Sequence, residues 1–154
     1  MLPHPELLRQ VKDVFNAYLL QKGLRRTSER FVILEEIYKM SHFDSQQLYE
    51  RMQERNYRVS RATIYNTLDL LQQCSLIRKH QFGHHSAIFE KSFHFQQHDH
   101  LICLDCKKII EFCDPRLQLT QNLIEEISNF KIKKHSLTFF GHCQSSNCKK
   151  KKPI

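Results

Sequence analysis

The spacing Cys103-x2-Cys106, answered near the end of the chain by Cys143-x4-Cys148, constrains this sequence more than any other feature. Each pair can bite one cation from a tight turn, and four thiolates at about 2.3 Å close a tetrahedral zinc shell with no open position. A closed shell predicts a structural metal. It ties the middle of the second half of the chain to its end, which a small unit needs. The chain has 154 residues, and two domains of that joint size bury little apolar surface unless a metal, a bridge or a partner helps. Bridges are disfavoured. The start, Met1-Leu2-Pro3-His4-Pro5, lacks a basic region followed by an apolar stretch, and runs such as Phe31-Val32-Ile33-Leu34 are far too short to span a bilayer. The chain is expected in the cytoplasm, without a membrane partner, where disulfides are rare. Its six Cys and ten His then read first as ligands. Cys74 and Cys113, outside the two pairs, read as packing residues.

Hydrophobic periodicity divides the chain into a first part, residues 1–92, and a second, 93–154, joined near residues 91–95. Residues 5–21 carry Leu7, Leu8, Val11, Val14, Phe15, Tyr18 and Leu19 at helical steps, and Gly23 ends that helix. Thr27-Ser28-Glu29 opens a second helix with a hydroxyl cap and a buried stripe of Phe31, Leu34, Ile37 and Tyr38. Asp44 with Gln47 makes a capping box for a third, facing Leu48 and Met52 inward. Ser60 caps a fourth that runs to Gln73, with Ile64, Leu68 and Leu71 on its apolar side. Residues 76–82 and 86–90, around a turn at Gly83, read as a hairpin. Helices followed by a two-stranded wing describe a winged helix-turn-helix. The second part reads as strands over 98–104 and 108–112, a helix over 116–129 with Leu117, Leu119, Leu123, Ile124 and Ile127 apolar, and a strand over 131–141. The fold class is therefore α+β: a winged helix and a small α/β unit with a structural zinc.

Two further constellations carry chemistry. In Gln97-His98-Asp99-His100 the strand alternation puts His98 and His100 on one face and Asp99 with Gln97 on the other. Two imidazoles on one face begin a metal site that suits zinc, iron or manganese once carboxylates join. Arg61, Thr63, Tyr65 and Asn66 lead the fourth helix, where a helix-turn-helix presents its groove-reading residues. Arg reads guanine edges, Asn suits adenine, and a ring packs on a thymine methyl. Arg25, Arg26, Arg30, Arg78 and Lys79 are placed for phosphate, and the net charge of +8 agrees, although the run Lys149 to Lys152 supplies much of it. A zinc enzyme is disfavoured because the four-thiolate set is full and no nucleophile–base pair or Gly-rich phosphate loop is evident. A metal-storage protein has no need of a groove-reading helix.

Taken together these residues resemble the ferric uptake regulator (Fur) family from about Gly23 to Cys148. The resemblance is carried by Gly23-Leu24-Arg25-Arg26-Thr27-x-x-Arg30, by Ala62-Thr63-Ile64-Tyr65-Asn66-x-Leu68, by His98-Asp99-His100-Leu101-Ile102-Cys103-Leu104-Asp105-Cys106 with Glu111-Phe112, and by His135-Ser136-Leu137 with Gly141-His142-Cys143. It implies a metal-responsive transcriptional repressor. The first domain would bind double-stranded DNA at an A·T-rich, pseudo-palindromic operator, and the second would form a homodimer. The regulatory metal would be held by His42, Glu90, His98, His100 and Glu111. Many members have one more site, whose matching positions here are Gln97, Asp99, Gln118 and His135. Two of the four are uncharged amides, so only Asp99 and His135 are expected to ligate, and weakly. Iron is the adopted signal. Peroxide, zinc and haem stay open. The family's peroxide sensors use Asp where this chain has Glu90 and Glu111, and haem would draw on Cys113, His84, His85 and His94.

Overall fold

The computed structural model describes residues 5–81, 86–93, 98–144 and 148. The expected turn at Gly83, the side chains of His84, His85, His94 and Gln97, and the Lys149 to Lys152 run lie outside them. The chain divides into two compact units, Met1–Phe95 and Gln96–Ile154. Among the described residues no helix is long and apolar enough to cross a membrane.

In the first unit, α1 (Pro5–Gln21) buries Val11, Phe15 and Leu19, one residue per turn along a single stripe. Gly23 takes the left-handed conformation at φ +63° and lets Leu24 N–H return to the Leu19 carbonyl at 2.9 Å, closing the helix end. α2 (Ser28–Ile37) begins after Thr27, but the Thr27 hydroxyl makes no capping bond. Its buried residues are Ile33, Leu34, Glu36 and Ile37, with Tyr38 just beyond. Phe31 is only half-buried. The expected stripe is therefore corrected: Phe31 lies over the edge of the core, against Phe15 at 5.5 Å and under the Arg26 guanidinium at 5.1 Å, and Ile33 takes the interior position.

β1 (His42–Phe43) follows. α3 (Ser45–Glu54) starts at the expected capping box, with Gln47 N–H donating to Asp44 at 2.7 Å and Asp44 N–H to Gln47 at 3.0 Å. α4 (Arg61–Gln73) is capped by Ser60, whose hydroxyl accepts from Thr63 N–H at 3.0 Å. It turns Ile64, Thr67, Leu68 and Leu71 inward. β2 (Ile77–His80) and β3 (Ile88–Lys91) are shorter than the expected strands, and they form a three-stranded sheet in the order β1-β3-β2. The third strand was not expected. Two residues show no periodicity, and β1 exists because Phe43 stacks on Phe89 at 5.7 Å while its backbone pairs with β3. Tyr38 donates to the Leu76 carbonyl at 2.7 Å, fastening the end of α2 to the start of the wing, and burial pushes its hydroxyl pKa up. Each fully buried Leu, Ile or Phe of this core contributes about 1.5–3 kcal/mol.

Glu36, 1% exposed, is a charged residue buried beside that core. Burial alone raises its pKa, but Lys39 at 2.6 Å, Arg51 at 3.0 Å and Arg55 at 3.2 Å outweigh it and hold the carboxyl below its ordinary value.

In the second unit, β4 (Asp99–Cys103) is central. It runs antiparallel to β5 (Ile109–Phe112) and parallel to β6 (Thr138–Gly141). α5 (Pro115–Ser128) is capped by Asp114, which accepts from Arg116 N–H at 2.9 Å. The Arg116 guanidinium pulls that carboxyl down to about 2. The expected strand over 131–141 is corrected to Thr138–Gly141 alone. The preceding segment is held largely through side chains: Ile132 N–H donates to Glu125 at 2.8 Å and Leu137 N–H to Asp99 at 3.0 Å, while the Leu137 carbonyl accepts from His100 N–H at 3.0 Å. No residue of α5 is buried. Leu119, Leu123 and Ile127, the last 85% exposed, leave its apolar side uncovered within one chain.

Candidate metal centres and nucleic-acid face

The β4–β5 hairpin and the residues after β6 deliver the four cysteines. Cys103 ends β4, and the turn behind it is closed by Lys107 N–H on the Cys103 carbonyl at 3.0 Å, with Lys107 at φ +62°. That turn carries Cys106. Cys143 lies two residues past β6, and the parallel pairing of Cys103 with Gly141 brings it alongside. The four sulfurs lie within 4.8 Å of one another, with Cys106–Cys143 at 3.8 Å and Cys103–Cys148 at 4.0 Å. A tetrahedron with 2.3 Å metal–sulfur bonds has an edge of about 3.8 Å, whereas a disulfide needs about 2.0 Å. The set therefore fits zinc, and the thiols are free of bridges. Amides of Cys106, Cys143 and Asp105 aimed at the Cys103 sulfur pull its thiol down to about 6, toward the thiolate that a metal takes. His142 Nδ1 pairs with Asp105 at 2.9 Å and braces the two cysteine arms. Of the two leftover cysteines, Cys74 is partly buried and its thiol is pushed up to about 11, as packing requires. Cys113 departs from expectation: it is exposed.

The first unit contributes an acid and two imidazoles. Glu90 on β3 stands opposite His42 on β1 and is 3% exposed. His42 Nε2 lies 3.2 Å from Glu90 Oε2. That separation matches neighbouring ligands on one cation, because bonds of 2.0–2.1 Å give edges of about 2.8–3.4 Å between octahedral and tetrahedral limits. His80 Nε2 meets the other oxygen, Oε1, at 2.8 Å. Sequence reasoning did not single out His80. Its role depends on pairing between strands, and no local spacing signals it.

The second unit contributes its own face. His100 is 1% exposed, its Cα partner in β5 is Glu111, and the His98 and His100 rings pack edge to face at 4.9 Å. Asp99 points the other way. It is 3% exposed, pairs with His135 Nε2 at 3.2 Å and accepts from Leu137 N–H. His135 Nδ1 meets Gln121 at 3.2 Å, while Gln118 donates to Asn122 at 2.9 Å. The structure thus brings Asp99 and His135 together, while Gln118 turns to its own helix.

On the first unit's outer side, α4 leads with exposed groups. Arg61 lies 4.2 Å over the Tyr49 ring and donates to Gln46 at 2.6 Å. Tyr65 is 52% exposed and accepts from the Ser45 hydroxyl at 3.1 Å. Thr63 and Asn66 share a cleft of about 480 Å³ with Arg30, Thr27 and Arg58. Arg30 donates to the Arg25 carbonyl. Arg58 was not anticipated, although a cation two residues before a helix cap is a legible signal. Ser45 and Gln46, which steer Tyr65 and Arg61, come from α3 and show only in the fold.

Comparison with known proteins agrees with this arrangement. The ferric uptake regulator family model matches residues 21–140. The ferric uptake regulation protein of Klebsiella pneumoniae is 33% identical over 136 residues, 87% of each chain. The crystal structure of the Vibrio cholerae ferric uptake regulator superposes with a TM-score of 0.73 at 32% identity, covering 83% of this chain and 98% of that one. The Pseudomonas aeruginosa regulator, solved with manganese, gives a TM-score of 0.71 at 26% identity, covering 84% and 98%. With the match spanning both units and the motifs in order, this chain belongs to the ferric uptake regulator family.

Proposed function

We propose that this protein is an iron-responsive repressor that binds an A·T-rich, pseudo-palindromic operator as a homodimer when a divalent metal joins its two units. His42 and Glu90 of the first unit and His98, His100 and Glu111 of the second are the ligands. The observation that carries this reading is the face-to-face approach of His42 and Glu90 at 3.2 Å in a nearly dry position. A buried carboxylate is costly without a strong partner, and a divalent cation is the strongest available. On the second unit, His98 and His100 share one sheet face with their rings 4.9 Å apart, and the exposed Glu111 is the register partner of His100. Mixed imidazole and carboxylate ligands suit Fe(II), Mn(II) and Zn(II). The names of the curated relatives favour iron, and the Pseudomonas aeruginosa structure holds manganese.

The ligands supply the switch. A cation bound to residues of both units selects one angle between them. In a dimer, that angle sets the distance between two copies of α4, and half-sites about 34–36 Å apart accept one distance. Differential metal affinity for that arrangement becomes DNA affinity. The uncovered apolar side of α5 supports dimerisation through the second unit. Anaerobic titration of Fe(II), Mn(II) and Zn(II) against operator binding tests the reading. Metal-dependent retardation, strongest with Fe(II), is expected; identical binding with and without chelator would refute it.

A further inference from the structure

The sheet β1-β3-β2 places Glu90 between two histidines. His42 stands directly across from it, while on the other side Arg78 is its register partner and His80 pairs with Ile88. His80 is therefore the diagonal neighbour of Glu90, on the same face of the sheet. The carboxylate divides its oxygens: Oε2 faces His42 at 3.2 Å, and Oε1 faces His80 at 2.8 Å. A carboxylate only accepts, so the shorter contact is an N–H of His80 donating to Oε1. With its side chain 4% exposed, Glu90 has little water to hold that second oxygen.

We propose that His80 is a positioning residue for the regulatory metal: it pins Oε1 of Glu90, so that Oε2 alone is presented to the cation beside His42. This rests on the metal reading given above. Groups that hydrogen-bond a ligand set its orientation and the number of atoms it offers, and their loss costs metal affinity. His80 does not ligate. Its Nε2 is committed to the oxygen turned away from His42.

The test is a Co(II) titration of the full-length dimer whose four-cysteine site already holds zinc, followed by the visible d–d spectrum. His80→Ala should weaken Co(II) binding about tenfold or more and change the band intensities, because the freed carboxylate can lend both oxygens. His80→Gln, which keeps an N–H donor, should largely restore both. Should the Ala variant be unfolded by circular dichroism, His80→Phe keeps the ring volume without the donor and carries the same expected loss. Wild-type affinity and spectrum in the donor-free variant overturn the proposal. So does a Gln variant as impaired as Ala, which makes His80 a ligand. Glu90→Ala separates the two levels. If it loses Co(II) while His80→Ala does not, only the positioning role fails; if it too binds normally, the metal reading fails.

Discussion

The sulfurs of Cys106 and Cys143 lie 3.8 Å apart at the meeting of a hairpin turn and the end of β6. Among the described residues, backbone pairing and the His142–Asp105 contact at 2.9 Å are what join these two segments, and α5 adds no buried residue to the unit. Removing the zinc should therefore unfold the second unit. Binding of structural zinc is worth about 10–16 kcal/mol at neutral pH, as large as the whole stability of an ordinary domain. Metal analysis should find about one tightly held zinc per chain, and Cys143→Ser should give aggregated or monomeric protein. Cys113→Ser, at an exposed position, should change neither zinc content nor assembly.

Tyr65 and Arg61 project from α4 and rest on Ser45, Gln46 and Tyr49 of α3. Changing both to Ala should leave the melting temperature nearly unchanged. It should remove at least about 2 kcal/mol of operator discrimination, since each base-reading contact contributes about 1–3 kcal/mol. Retained operator specificity in the double variant shows that α4 is not the reading helix.

Glu36 gives the first unit an acid-sensitive link. Its folded-state carboxyl sits below the ordinary value of 4.5 because Lys39, Arg51 and Arg55 outweigh burial. A depressed folded value means the stabilisation is full above the ordinary value and drains away as pH falls through the folded one. Glu36→Gln should flatten the acid side of the stability curve from the ordinary value of 4.5 down through the folded one. Glu36→Ala should cost about 2 kcal/mol near neutrality, the scale of a charge-assisted hydrogen bond. An acid limb with unchanged slope in the Gln variant removes Glu36 as its source.

Leu119, Leu123 and Ile127 form an uncovered stripe on α5. Placing a charge there, as in Leu123→Glu, should shift sedimentation from dimer toward monomer without loss of zinc, because the three are exposed on α5 and the cysteines come from the β4–β5 turn and the segment after β6. A dimer of wild-type affinity would put the interface elsewhere.

Much of the site could be read from the chain because its signals are local. The two cysteine pairs announce themselves by spacing, His98 and His100 by strand alternation, and the starts of α3 and α4 by caps whose partners lie three residues away. His42, Glu90 and Glu111 came only through family resemblance, since each is an isolated residue until pairing between strands gives it neighbours. What local pattern could not supply is as specific. Phe31 and Ile33 are both apolar and both on α2, and only the packing of Phe15 and Arg26 decides that Phe31 takes the edge.

Sequence alone determined the helices, the two cysteine pairs and the caps that start α3 and α4, because spacing and hydrogen bonds within a few residues specify them, whereas the meeting of the two pairs waits on the pairing of β4 with β6. Tertiary structure decided the rest. It made a strand of His42–Phe43, tied Leu137 to the Asp99 carboxylate, and set His80 against the far oxygen of Glu90. Each of those depends on residues distant in the chain meeting across a sheet, and that meeting is a property of the packed fold that no window of neighbouring residues encodes.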